Sequence, residues 1–185
     1  MKKTVSVVFG TFAPMHKGHI DLIQRAKREN DRAVVIVSGY DQDRGHQIGL
    51  GLQKRFRYIR ETFNDEPLVS VFKLDETGMP PYPEGWTPWL EALQALLAIK
   101  EDEELVFYVS EKEYAEELRS RGYLASFTER NFGISATLIR ENPAKYWNSI
   151  AKPFRRHFSK NVLVVGSASI GKTTLARDLG PYYSC

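Results

Sequence analysis

Short apolar runs alternate with amphipathic stretches along most of this chain. Five runs rich in β-branched and aromatic residues have the composition of buried strands, at 4–9, 33–39, 68–74, 105–110 and, more briefly, 123–127. Between them, apolar residues recur at helical spacing within 18–30, 52–63, 89–100 and 111–122. Strands that alternate with helices in this way predict βαβ units. We therefore expect an α/β fold built on a parallel sheet with helices on both faces.

The composition is that of an ordinary globular protein without a bulk charge. Of 185 residues, 42% are hydrophobic and 26% are charged, and the formal net charge is +3. This balance argues against a nucleic-acid partner, and the charge-rich stretch at 54–60 has the helical spacing of a solvated amphipathic helix. The single cysteine, Cys185, cannot form a disulfide framework, and no apolar run approaches the roughly 20 residues that span a bilayer. We expect a soluble, cytoplasmic protein with no membrane partner.

The ten residues after the first strand, GTFAPMHKGH at 10–19, are predicted to bind phosphate. Gly10 lets a ligand approach the backbone, and Gly18 opens the next helix without a side chain in the way. The start of that helix exposes unpaired N–H groups and carries about half a positive charge, which favours an anion. His16 and His19, three residues apart, can lie side by side there and donate hydrogen bonds to phosphate oxygens.

Lys17 adds a full positive charge to the same turn. Two plainer interpretations compete with phosphate binding: a turn with two surface histidines, and a metal site. The metal site lacks a third ligand at any local spacing. Phosphate binding is favoured over both.

A second polar cluster lies in ISATLIR at 134–140. Ser135 is a suitable N-cap, and Thr137 and Arg140 follow within the first turn and a half of a helix. Backbone donors, two hydroxyls and a guanidinium would together hold a polyphosphate. A capped helix with a solvated arginine is the plainer interpretation, and the first motif weighs against it.

A further glycine-rich motif lies near the end of the sequence. An apolar run at 161–166 leads into the pattern G-x-x-x-x-G-K-[ST] of a P-loop, formed by Gly166, Gly171, Lys172 and Thr173, and a helical pattern follows. The sequence stops 12 residues after Thr173. A P-loop kinase needs a full sheet, a carboxylate that holds Mg²⁺ and a lid. We therefore expect no kinase activity and a poorly formed phosphate loop. The strand at 161–166 would have an unpaired apolar edge, so we expect this segment to be disordered, docked on the first domain or paired with another copy.

The two motifs GTFAPMHKGH and ISATLIR resemble those of the nucleotidyltransferase superfamily, whose marks are an H-x-G-H turn and a downstream I-S-x-T-x-x-R. With MPPYPEGWTPW at 79–89, FTERNFGISATLIRENPAKYW at 127–147 and the P-loop beyond, the chain is similar to the bifunctional nicotinamide-nucleotide adenylyltransferase/ribosylnicotinamide kinase family of the NadR type. The resemblance implies a Rossmann-like sheet of the nucleotidyltransferase α/β phosphodiesterase type. It also implies an adenylyltransferase domain at 1–158 and the truncated start of a kinase domain at 159–185.

The resemblance implies a reaction in NAD biosynthesis. The 5′-phosphate of nicotinamide mononucleotide would attack the α-phosphorus of Mg-ATP in line, giving NAD and pyrophosphate without a covalent intermediate. His16 and His19 would stabilise the transition state, Arg140 would hold the departing pyrophosphate, and Mg²⁺ would arrive with ATP, bound by no protein side chain. The other residues implied for ATP or its phosphates are Gly10, Thr11, Phe12, Lys17, Gly18, Ser135, Thr137 and Ser110. The residues implied for the mononucleotide are Gly39, Tyr40, Asp41, Trp86 and Trp89.

The two tryptophans belong to the unusually long loop at 75–88 and its exit, and loops longer than about 12 residues are often functional. A flat heteroaromatic cation such as nicotinamide favours an aromatic face, although Trp89 is equally expected to pack in the core.

Two other functions remain open: an adenylyl- or cytidylyltransferase for another phosphate such as phosphopantetheine, and a sensor that binds NAD or ATP without turnover. The intact His16, His19 and Arg140 favour an active enzyme. The sequence leaves open a homo-oligomer and the preference between nicotinamide and nicotinic acid mononucleotide.

Overall fold

The computed structural model describes residues 2–129, 133–160 and 163–183, the last four of these by their backbone alone. Its strands are β1 (Lys3–Gly10), β2 (Arg32–Gly39), β3 (Val69–Asp75), β4 (Glu103–Val109) and β5 (Leu124–Phe127). Its helices are α1 (Lys17–Glu29), α2 (Leu52–Thr62), α3 (Trp86–Leu97), α4 (Lys112–Ser120), α5 (Ala136–Glu141), α6 (Lys152–Phe158) and α7 (Lys172–Tyr183). Short 3-10 turns occupy His46–Ile48 and Trp147–Ser149.

The sheet confirms the predicted α/β fold. Its order is β3-β2-β1-β4-β5, and every neighbouring pair is parallel. From β1 the chain builds outward to β3 on one side, and then crosses to β4 and β5 on the other. The boundary between β1 and β4 is therefore the switch point at which ligands bind in open parallel sheets.

Helices cover both faces of the sheet because each central strand is apolar on both sides. On one face Val8 and Val35 pack under α1, α2, α5 and α6, with Phe154 of α6 fully buried. On the other face Val7 and Ile36 pack under α3 and α4. Burial on both faces gives the continuous apolar runs that marked these strands in the sequence.

The predicted bounds of the helices and strands differ from the observed ones by up to three residues, the most at α3. Helix α3 begins at Trp86, three residues before the predicted start, because Pro88 is tolerated in a first helical turn, where its missing N–H has no partner within the helix. The predicted strand at 161–166 is not confirmed. Its first two residues lie outside the described ones, and 163–166 form no strand; Leu163 is 83% exposed. A strand needs a neighbour to accept its backbone hydrogen bonds, and none of the five strands pairs with this segment.

A buried ion pair fixes the connection between β2 and α2. The guanidinium of Arg55, which is fully buried, donates to both carboxylate oxygens of Asp43, over 3.0 Å to Oδ1 and 2.6 Å to Oδ2. Asp43 Oδ1 also accepts from the backbone N–H groups of Gly45 and His46, each at 2.8 Å. Burial alone would raise the pKa of Asp43, but the hydrogen bonds from Arg55 and the backbone outweigh it and hold that pKa below its usual range.

We predict that Asp43→Asn destabilises the fold by about 3 kcal/mol at neutral pH, since it leaves a buried guanidinium without its counter-charge. The matched control is Glu116→Gln, which breaks the exposed 3.7 Å pair with Lys112 and should cost less than about 0.5 kcal/mol. Denaturant unfolding measures both. Because the pKa of Asp43 is lowered, its contribution is present above about pH 4 and is lost as the pH falls through the folded-state pKa. Equal losses in the two variants would contradict this account.

Candidate functional site

A cavity of about 960 Å³ opens at the carboxyl-terminal edge of the sheet, across the switch point between β1 and β4. Its size suits a small-molecule or nucleotide ligand. The predicted site residues that line it are Gly10, Thr11, Phe12, His16, Gly18, His19, Tyr40, Asp41, Trp86, Trp89, Ser110, Ser135, Thr137 and Arg140. Lys17 and Gly39 are not among its lining residues.

The turn between β1 and α1 directs the start of α1 into the cavity. Phe12 has a left-handed backbone conformation, with φ at 49°, and the Ala13–Pro14 peptide bond is cis. The turn is held from outside by residues 150–151: the N–H of Ala151 donates to the carbonyl of Met15 at 3.1 Å. The helix begins at Lys17 rather than Gly18, with His16 as its N-cap. The positive dipole end of α1 therefore lies at the cavity wall.

The two histidines of the turn lie side by side, as their spacing predicts. Their ring centroids are 3.7 Å apart and their planes differ by 23°. The backbone N–H of His16 donates to Nδ1 of His19 at 3.3 Å, so the proton of a neutral His19 is on Nε2. The ring of Phe12 packs edge-on against His19, with 5.0 Å between centroids. This contact and the backbone hydrogen bond fix His19 with Nε2 as a donor.

Gly10 ends β1 in the cavity wall. A Cβ at this position would meet only the ring of Phe12, at 3.6 Å, which is ordinary van der Waals contact. Packing within the protein therefore does not require a glycine here, and ligand approach stays the predicted reason for it. Gly39 is different, because a Cβ there would collide with Arg55 and Asp43. The structure thus gives Gly39 a packing role, and its contact with a mononucleotide stays a prediction.

Arg140 is half-buried and oriented by two hydrogen bonds. Its Nη1 donates to the carbonyl of Ala13 at 2.7 Å, and its Nη2 donates to Oγ1 of Thr137 at 2.9 Å. Burial lowers the pKa of Arg140, the charge of Arg44 lowers it further, and Glu141 opposes both. The hydroxyl of Ser135 accepts from the N–H of Leu138 at 3.2 Å, which confirms Ser135 as the N-cap of α5.

Arg44 lines the cavity and was not singled out by the sequence analysis, although it lies only three residues beyond Asp41. Among the described residues, no carboxylate lies within ion-pair distance of either Arg44 or Arg140. Two arginines that face one cavity without such partners favour an anionic ligand there. The signal available in the sequence was an arginine in the polar turn directly after a strand of the parallel sheet.

The cavity wall is aromatic beside the face of the sheet that α3 and α4 cover, and this part is called its aromatic end. Trp86 and Trp89 are 6% and 7% exposed, and their ring centroids lie 5.9 Å apart in an edge-to-face arrangement. Phe9 packs against Trp89 at 4.7 Å and stacks with Tyr114 at 6.1 Å. The two tryptophans are thus part of the core and of the cavity wall at once. Among the lining rings, Tyr82 is the exposed one at this end, at 54%.

Glu76, immediately after β3, is a second lining residue that the sequence analysis missed. Burial raises the pKa of its carboxyl group, and hydrogen bonds from Ser38 and Trp89 offset this only in part. No sequence motif marks it, since its surroundings include Ser38 and Trp89, which are distant along the chain. Asp41 lies nearer the surface and pairs with His46 at 3.0 Å.

The hydroxyl of Ser110 has a partner within the protein. It donates to the carboxylate of Glu111 at 3.2 Å, so its contact with ATP stays a prediction.

The residues of the P-loop motif lie outside the cavity. Gly166 and Gly171 have positive φ angles, 157° and 86°, and Lys172, the first residue of α7, donates to the carbonyl of Ser167. Neither these residues nor Thr173 line the cavity, and their kinase origin stays a prediction.

Within 2–129, 133–160 and 163–183, no three histidine, cysteine or acidic side chains come together as a metal-binding group. No helix of the described chain is long and apolar enough to cross a bilayer.

Comparisons with known proteins agree with this arrangement. The cytidylyltransferase-like family matches residues 7–142. The trifunctional NAD biosynthesis/regulator protein NadR of Escherichia coli (strain K12) is 33% identical over 99% of this chain and 47% of its own length, and that of Salmonella typhimurium is 36% identical with the same coverage. A crystal structure of NadR protein in complex with NR has a TM-score of 0.85 at 48% identity, over 97% of this chain and 52% of that one. The chain thus spans about half the length of these relatives.

We predict that Glu76→Gln stabilises the protein at pH 8 by on the order of 1 kcal/mol, as replacements of strained site residues often do. A carboxyl group whose pKa is raised by folding costs stability as the pH rises through its folded-state pKa. The amide carries no charge, so the gain should vanish near pH 4. Unfolding curves at both pH values measure it, with the exposed Glu104→Gln as a control that should match wild type at each. A gain of equal size at pH 4 and pH 8 would contradict the assignment.

Proposed function

We propose that this chain, which belongs to the cytidylyltransferase-like family, is a nicotinamide-nucleotide adenylyltransferase that transfers AMP from Mg-ATP to nicotinamide mononucleotide. The observation that carries the proposal is one cavity with two different ends. Paired histidines, a helix start and Arg140 lie at one end, a tryptophan-rich wall lies at the other, and Arg44 lines the same cavity. The NAD-biosynthesis proteins that the chain resembles support a reaction in NAD synthesis.

The phosphate end accounts for the transfer step. A 5′-phosphate oxygen of the mononucleotide forms a bond to the α-phosphorus of ATP, and the bond from that phosphorus to the bridging oxygen of the β-phosphate breaks. The nucleophile is already an anion, so no base is required. Nε2 of His19, held as a donor, stabilises the charge that builds on the α-phosphate, with His16 beside it. Arg140, anchored on Ala13, binds the departing pyrophosphate and receives its negative charge.

The aromatic end accounts for the acceptor. The nicotinamide ring of the mononucleotide is a flat cation, and aromatic faces attract such a group electrostatically. Trp86 and Trp89 are fixed by their packing around Phe9, so the wall is formed before the ligand arrives. The carboxylate of Glu76 beside Trp89 adds a negative charge that suits a cationic ring. Residues 166–173 stay outside the proposal, because none of them lines the cavity.

We predict that the protein releases pyrophosphate from Mg-ATP when nicotinamide mononucleotide is the acceptor, and that His19→Ala lowers kcat about 100- to 1000-fold through loss of a transition-state donor. His157→Gln is the matched control. That histidine lies outside the cavity, contacts the carbonyl of Ile48 at 2.8 Å, and its replacement should leave turnover unchanged.

Nicotinic acid mononucleotide and phosphopantetheine, assayed in parallel, decide the acceptor. Turnover with phosphopantetheine alone would overturn the assignment of nicotinamide mononucleotide as the acceptor and leave the proposed adenylyl transfer in place. Binding of ATP or NAD without any turnover would replace the enzyme with a nucleotide sensor. Full activity of His19→Ala would remove His19 from the mechanism.

A further inference from the structure

Arg44 lies on the connection between β2 and α2, in a stretch whose backbone is fixed on both sides of it. Asp43, the preceding residue, is locked by Arg55 and accepts from the N–H of Gly45, the following residue, at 2.8 Å. The carbonyl of Gly45 in turn accepts from the N–H of Leu50 at 2.8 Å. A side chain at Gly45 would collide with the Arg55 guanidinium. The buried ion pair therefore fixes the backbone at Arg44.

The side chain of Arg44 is exposed and faces the cavity from this fixed point. The two acidic residues that precede it have other partners: Asp43 pairs with Arg55, and Asp41 pairs with His46 at 3.0 Å. As stated above for the described residues, Arg44 has no carboxylate within ion-pair distance. An arginine on a rigid backbone without an ionic partner is suited to bind an oxyanion through two parallel hydrogen bonds.

The charge of Arg44 acts on lining residues at both ends of the cavity. At the phosphate end, its charge adds to the effect of burial in lowering the pKa of Arg140. At the aromatic end, burial and then Glu111 raise the pKa of Tyr114, and the charge of Arg44 opposes them. Tyr114 packs against Trp86 with 5.4 Å between ring centroids. Arg44 therefore acts on the wall proposed for the nicotinamide and on the arginine proposed for pyrophosphate.

We propose that Arg44 binds the 5′-phosphate of the incoming mononucleotide and holds it against the α-phosphate of ATP. This inference rests on the proposed adenylyl transfer and adds to it a residue for the attacking group. The attacking phosphate and the ATP phosphates are both anions, so their approach is opposed by charge repulsion that a guanidinium between them offsets. Arg140 then binds the departing pyrophosphate. One arginine thus holds the attacking group and the other holds the leaving group. The Asp43–Arg55 pair is the positioning element behind Arg44.

The test compares a phosphorylated ligand with its phosphate-free form. Binding of nicotinamide mononucleotide and of nicotinamide riboside is measured by calorimetry for wild type, Arg44→Ala, Arg44→Lys and the control Arg28→Ala, an exposed arginine of α1 outside the cavity. Arg44→Ala should weaken the mononucleotide about 10- to 100-fold and leave the riboside unchanged, because only the mononucleotide carries the group that Arg44 contacts. Lysine should restore part of the affinity as a point charge, and Arg28→Ala should match wild type.

Steady-state kinetics gives the second readout. In Arg44→Ala, kcat/KM for the mononucleotide should fall at least as far as its affinity, while KM for ATP stays within about threefold of wild type. Equal losses for mononucleotide and riboside, or a loss confined to ATP, would overturn the assignment of Arg44.

The acceptors that the wild-type protein binds and uses show separately whether the proposed function fails. If wild type uses another phosphorylated acceptor, the same comparison is made with that acceptor and its dephosphorylated form. A loss of affinity in Arg44→Ala confined to the phosphorylated form would support the assignment of Arg44, and equal losses for both forms would overturn it. If wild type binds no phosphorylated acceptor at all, both proposals are overturned.

Discussion

All neighbouring strands of the sheet run parallel, and this constraint creates the site. Parallel strands end at one edge, and the helices that follow them start at that same edge, with their unpaired N–H groups and positive dipole ends. β1 lies at the centre, so the turn from Gly10 to His16 meets the ends of β2 on one side and β4 on the other. The parallel arrangement therefore brings together an anion-binding helix start, a cationic loop and an aromatic helix start.

Positive and negative side chains lie in different parts of the cavity. His16, His19, Arg44 and Arg140 supply positive groups and donors at and near the phosphate end, while Glu76 supplies a carboxylate beside the tryptophans. A ligand that fits both ends has several negative charges at one end and a cationic ring at the other. A dinucleotide joined through phosphates to a pyridinium has that distribution, which links the electrostatics of the fold to the proposed product.

The sequence predicted the features that are local. The five strands, the stacked histidines and the Ser135 cap each follow from spacing within a few residues, and the structure has them all. Arg44 and Glu76 were not singled out because their roles depend on partners brought in by folding. The guanidinium of Arg55, eleven residues further along the chain, fixes the backbone at Arg44, and Trp89 of helix α3 hydrogen-bonds to Glu76. The strand predicted at 161–166 shows the same limit in its described residues, 163–166, since an apolar run becomes a strand only where another strand pairs with it.

The measurement that tests the account most directly is the fate of the α-phosphorus of ATP. The protein would be given Mg-ATP carrying a chiral thiophosphate at that position, together with nicotinamide mononucleotide, and the configuration of the product would be determined. A single in-line displacement, held by the histidines and the two arginines, predicts that the label enters the dinucleotide with inversion. Retention of configuration, or a dinucleotide without the label, would contradict direct adenylyl transfer in this cavity.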